Sequence, residues 1–210
     1  IYDLENLNPD DLDMTEQKIL SYIAEVRSLR AYFYYNVFEI WGGVLPLSTG
    51  VETDIITGSV SDDFDEGCQI IYDFIMTELD ETVDLLLTNS VNRMNQAANR
   101  MVKMRLLLNS EIFIGVNKYT ECANLAQEIL NGSYGSYQLA NKYQDIFAFD
   151  NHNCPEVIFA YASDGPHHNA GWIRNMPFLP YRISQYLDYT PPNPGWNCTC
   201  LVPSFDNSAN

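Results

Sequence analysis

Positive charge is what this chain has least of: 11 Lys plus Arg stand against 28 Asp plus Glu among 210 residues, a formal net charge of -17. Such a surface repels phosphate backbones and anionic lipid, which argues against nucleic-acid binding and electrostatic docking on a membrane. Neutral or cationic partners are favoured. Long apolar runs are also missing. None approaches the roughly 20 residues of a membrane-spanning helix, and Ile1 to Asp13 lack the basic start and apolar centre of a secretory signal. The chain reads as opening within a longer protein. The five cysteines (Cys68, Cys122, Cys154, Cys198, Cys200) have no metal-site spacing, because Cys198-Thr199-Cys200 lacks the second half-site of a zinc ribbon. Neither a metal nor a cofactor is expected. Cys68 and Cys122 fall on helical faces and read as small core residues.

What is present is apolar and aromatic. Hydrophobic residues make up 46% of the sequence, enough for a real core. The stretch Leu29 to Leu47 reads as the end of a long helix, stopped by Gly42-Gly43 and followed by an extended segment pinned at Pro46. Two apolar stripes run along it, Ile19, Ile23, Val26, Phe33, Val37, Ile40 and Leu20, Ala24, Ala31, Tyr34, Phe38, Trp41. Together they predict a broad buried face, on a helix that lies between other elements. Arg30 and Arg27 fill the gaps in these stripes, so each guanidinium is expected to be partly buried and paired. Acidic residues and Thr15 before the pattern place the helix start near Met14.

Asp62, Asp63, Asp65 and Glu66 invite a calcium loop or a catalytic carboxylate pair. The spacing fails the calcium pattern, and acids just before an apolar periodic segment suit a helix N-terminus. That helix carries Tyr72, Ile75, Leu79, Val83 and Leu86 on one face. A third opens near Asn95 with Ala97, Met101, Met104, Leu108 and Ile112 as its stripe, broken by Gly115 and Asn117. A fourth follows with Tyr119, Ala123, Ala126 and Leu130 and a stop at Asn131-Gly132. Short connections and small facing residues predict antiparallel hairpins in the tetratricopeptide style. The fold class is therefore mainly α: helical hairpins with a long loop-rich aromatic segment. Residues 1–150 read as the scaffold and 151–210 as a loop-rich segment of one integrated domain. Within it, Asn141 to Phe147 is a candidate short helix and Val157 to Tyr161 a candidate strand.

Several of these patterns, in this order, resemble the SusD/RagB family of outer-membrane glycan-binding lipoproteins. The resemblance rests on Ala24-Glu25 leading into Leu29-Arg30-Ala31-Tyr32-Phe33-Tyr34, then Trp41-Gly42-Gly43-Val44-Leu45-Pro46-Leu47. It continues through Tyr72-Asp73-Phe74-Ile75, Arg93, Ala97-Ala98, Arg105 to Leu108, Tyr137-Gln138-Leu139, Glu156 to Phe159 and Gly195-Trp196-Asn197. It implies a SusD-like, tetratricopeptide-like scaffold that binds oligosaccharide or polysaccharide without cleaving it. It also implies a cell-surface lipoprotein partnered with a SusC-like TonB-dependent transporter in the outer membrane, touching the membrane only through an N-terminal lipid anchor. The family's lipidated Cys and C-terminal half have no counterpart here, which gives the expectation of a partial chain.

Sugar rings present flat C–H faces to aromatics, while their hydroxyls need planar polar side chains. Beyond Cys154 the sequence holds eight of its ten prolines, few charges, and both residue types. The ligand-binding candidates are Trp196, Asn197, Tyr189, Trp172, Tyr186 and Arg174. A glycosidase would need two facing carboxylates, and the aromatic loop as far as Trp196 offers only Glu156, Asp164 and Asp188. His167-His168 and His152 complete no catalytic motif, so no enzyme is expected. The alternative is a helical-repeat scaffold for a protein or peptide partner, whose exposed aromatics would line helix grooves instead of loops. Trp41, beside Gly42-Gly43, is the one residue of the opening stretch with two readings, a cap on the core or a side chain that reaches toward the loops.

Overall fold

The computed structural model describes residues 1–9, 13–48, 58–147 and 151–160. They fall within the first of two units into which the chain divides, Ile1–Ala160 and Tyr161–Asn210. The elements are α1 (Tyr2–Glu5), α2 (Glu16–Trp41), α3 (Phe64–Thr82), α4 (Gln96–Leu108), α5 (Ser110–Ile114) and α6 (Tyr119–Leu130). Short 3-10 turns occupy Gly42–Val44, Val83–Leu85, Tyr143–Phe147 and Asn151–Asn153. The fold is mainly α, as predicted, and there is no strand among the described residues.

The helix starts follow the cap chemistry in the sequence. Thr15 Oγ1 accepts from the Lys18 amide at 3.3 Å, Asp63 Oδ1 from Glu66 at 2.8 Å and Asn95 Oδ1 from Ala98 at 2.9 Å. The acidic cluster before α3 is thus a helix entrance. Gly115, left-handed at φ 67°, ends α5.

α2 and α3 pack as an antiparallel pair, since Ser28 meets Thr82 at one end and Gly43 meets Gly67 at the other. The core between them holds Ala31, Tyr35 and Phe38 from α2 and Ile71, Ile75 and Leu79 from α3, closed by Val102 and Leu106 of α4. Each large apolar side chain buried there contributes about 1.5–3 kcal/mol. Gly42 has φ 61°, and a side chain on Gly43 would collide with the backbone of Phe64 and Cys68. The paired glycines therefore bring the end of α2 into backbone contact with the start of α3.

Arg27 and Arg30 are paired as expected, and both with one residue. Glu78, 4% exposed, accepts from Arg27 through Oε1 at 3.0 and 2.7 Å and from Arg30 through Oε2 at 2.8 and 2.5 Å. Where α2, α3 and α4 meet, Asn99 Nδ2 donates to Ser28 Oγ at 2.9 Å and Thr82 Oγ1 at 3.1 Å, so the buried polar groups at the crossing satisfy one another.

Three expectations fail on helix faces. α2 is not covered all round by the described residues. Its buried column is Ala24, Ser28, Ala31, Tyr35 and Phe38, while Phe33, Val37, Ile40 and Trp41 face outward. Small residues in the column let α3 approach, and that approach selects the face. α4 does not continue to Ile112, because Asn109 closes it and α5 begins a new turn; Leu108 and Ile112 are exposed. α6 buries Cys122, Leu125 and Ile129, one residue away from the predicted stripe. Leu125 and Ile129 remove more apolar area from water than Ala123 and Ala126 would.

Candidate functional site

Two hydrogen bonds to backbone carbonyls fasten the chain beyond α6 to the entrance of α4. Asn95 is fully buried; besides capping α4, its Nδ2 donates to the carbonyls of Ser90 at 2.9 Å and Ile158 at 2.8 Å. The Ala160 amide donates to Val91 O at 2.9 Å, and the Ala140 amide to Glu156 Oε2 at 2.9 Å. These partners are a loop and a side chain, so residues 157–160 form no strand; Tyr161 lies outside the described residues. The result is a fixed course for residues 158–160.

Two hollows flank this anchored stretch and share Met101, Glu156 and Ile158. The larger, about 440 Å³, lies between Tyr32 of α2, the Met94, Val102 and Arg105 positions along α4, and Val157 and Phe159. The smaller, about 290 Å³, is walled by Met104, Ala126, Leu130, Tyr137 and Leu139. Both are mainly apolar with few polar groups, the composition of small-molecule sites. In the larger, Arg105 lies 5.6 Å from the centre of the Tyr35 ring, and Tyr32 and Glu156 complete the polar set. In the smaller, burial pushes the Tyr137 hydroxyl pKa up, and that hydroxyl has no hydrogen-bond partner among the described residues.

Chemically these walls can hold a ring with one apolar face and one polar edge. Glu156 is the one carboxylate among the residues lining the larger hollow, and its Oε2 is engaged by Ala140. No group of three or more His, Cys, Asp or Glu positioned for a metal occurs among the described residues. Cys68 and Cys122 are buried, as predicted, and burial raises both thiol pKa values, which keeps them protonated.

The six sequence-predicted ligand residues, Trp172, Arg174, Tyr186, Tyr189, Trp196 and Asn197, lie outside the described residues. Trp41 stands exposed at the end of α2, beside exposed Ile40 and Val44. Tyr32, Arg105 and Asn95 were not singled out from sequence as site residues. Asn95 carried a signal, a cap position opening a helix; its second role depends on a partner 63 residues away.

These features define a class of protein: a helical scaffold with an edge anchored at Asn95. Its relatives are specific. Over 159 residues the chain is 26% identical to the starch-binding protein SusD of Bacteroides thetaiotaomicron, a match covering 72% of this chain and 27% of that protein. Among solved structures it is similar in fold to a SusD-like protein from Bacteroides fragilis, with a TM-score of 0.55 and 24% identity over 74% of this chain and 30% of the other. The chain thus spans less than a third of the length of either relative. No family model matches it. The sequence match is to a SusD protein, and the fold is of the SusD-like kind.

Proposed function

We propose that this chain is part of a non-catalytic glycan-capture protein at the bacterial cell surface, which takes up oligo- or polysaccharide and passes it to a SusC-like TonB-dependent transporter in the outer membrane. The observation that carries this reading is the likeness to a starch-binding protein across 72% of the chain. The aromatic and planar polar residues after Cys154 support it, with Trp196, Asn197, Tyr189, Trp172, Tyr186 and Arg174 as the contact set. A lipid anchor is the membrane attachment this reading calls for, and the acidic surface suits neutral ligands.

Affinity electrophoresis through gels containing starch and other polysaccharides tests it. The wild-type chain is expected to be retarded, and Trp196→Ala to run nearly free with unchanged helical circular dichroism. Undiminished retardation of that variant would refute the site. Release of reducing ends during the incubation would refute the non-catalytic reading. A second reading, a scaffold for a protein partner, is favoured by one observation: Phe33, Val37, Ile40 and Trp41 form an exposed apolar stripe on α2, where a peptide or protein could lie. Retardation by no glycan, with capture of the transporter alone, would favour it.

A further inference from the structure

Away from both hollows, the start of α2 and the turn after α3 enclose a third cleft of about 440 Å³, within the about 300–1,000 Å³ range of small-molecule sites. Gln17, Lys18, Tyr22, Asp84 and Arg93 line it above buried Leu86. Its character differs from that of the other two, because polar and apolar surfaces meet in it. Arg93 is held from behind: its Nε donates to both oxygens of Glu25, at 3.1 and 3.0 Å, and its guanidinium carbon lies 5.0 Å from the centre of the Tyr22 ring. That guanidinium is therefore neutralised by its own partner, and it orients Tyr22. Lys18 and Asp84 line the same cleft with opposite charges, and neither forms an ion pair among the described residues.

A patch without net charge, on a chain of formal charge -17, has a specific chemistry. Donors (Lys18, Gln17) and acceptors (Asp84, the Gln17 carbonyl) line the cleft together with one aromatic ring, Tyr22, which carries Arg93 on one face. A charged ligand would gain from one of the two free charges and be repelled by the other. An apolar ligand would strand both. A ring that bears hydroxyls on its edge and C–H groups on its face uses every element, since each hydroxyl both donates and accepts. We propose that this cleft is a second glycan subsite, for a neutral sugar unit, separate from the aromatic segment. The proposal rests on the glycan-capture reading and adds a contact point on the scaffold itself.

The test uses the intact chain with neutral hexasaccharides (maltohexaose, cellohexaose, xylohexaose, mannohexaose), read by calorimetry and by hydroxyl-radical labelling of Tyr22. One hexasaccharide is expected to protect Tyr22 from labelling. The double variant Gln17→Ala, Asp84→Ala changes exposed side chains only and is expected to weaken the binding that protects Tyr22 about tenfold, the loss of roughly two hydrogen bonds. Trp196→Ala is expected to leave that protection in place. Labelling of Tyr22 that stays unchanged while a glycan binds elsewhere would overturn this subsite and leave the capture reading standing. Binding of none of the four, with Tyr22 unprotected, would overturn both.

Discussion

Glu78 is the residue through which two sequence expectations meet. That Arg27 and Arg30 must be partnered follows from their positions in apolar stripes. That one carboxylate serves both could not be read, because it lies 51 and 48 residues away and its own helix shows it among several acids. Removing it would leave the partly buried Arg30 guanidinium without its carboxylate, the costly way to break such a cluster, while Arg27 would keep Glu81. Tyr72 is the opposite case, a core ring whose hydroxyl is buried without a partner among the described residues. Burial first, then the nearby charges of Glu121, Asp73 and Asp80, push its pKa up to about 12. The unfolded chain would lose that proton near pH 10, so above about pH 10 ionisation favours unfolding and stability falls as pH rises. Tyr72→Phe is expected to change stability by less than about 0.5 kcal/mol at neutral pH. It should also flatten the decline between about pH 10 and about pH 12, as followed by thermal melts. Equal slopes for the two proteins would refute the assignment.

Among the elements, starts and stops were legible and faces were not. Thr15, Asp63, Asn95 and Gly115 announce helix ends through local chemistry, which depends on three or four neighbouring residues. Faces depend on what approaches from a distance. α6 turned by one residue because Leu125 and Ile129 outweigh alanines, and α2 left Phe33 and Ile40 outside because α3 came in over Ala24 and Ala31. The glycine pair shows both sides of this. Gly42-Gly43 reads as a stop, yet its further role as a contact surface becomes visible only with Gly67 opposite, whose added side chain would strike the Gly43 backbone. Gly67→Ala is expected to cost about 3 kcal/mol through forced separation of α2 and α3. Gly115→Ala, with open space around it and only φ 67° to resist, is expected to cost about 1–2 kcal/mol. Urea unfolding of the two variants measures the difference. Equal costs would mean the helix ends are not in close contact.

At the scale of the whole molecule, the mainly helical class was readable because periodicity is a local fact. The candidate ligand residues were chosen by residue type alone, with no periodicity to place them, and they lie outside the described residues. Charge is the property of the entire chain. With -17 formal charges it should pass through a heparin-type anion matrix without delay at low salt and bind an anion exchanger firmly. Retention on the anionic matrix would reveal a cationic patch strong enough to reopen nucleic-acid or lipid binding.

Asn95 performs two tasks with one side chain, and this couples two motions. Its oxygen holds the Ala98 amide in the first turn of α4, while its nitrogen holds Ile158, two residues before Ala160 bonds to Val91. Opening one therefore loosens the other, so the helix entrance and the exit of the chain form a single cooperative unit. Hydrogen exchange reads this directly. Asn95→Asp retains the acceptor and removes the donor, and is expected to speed exchange at Ala98 as well as at Ala160. Asn95→Ala should speed both, and acceleration of Ala98 alone would show that the two ends open independently. A pull on the chain beyond Ala160 would then be felt first as fraying at the start of α4.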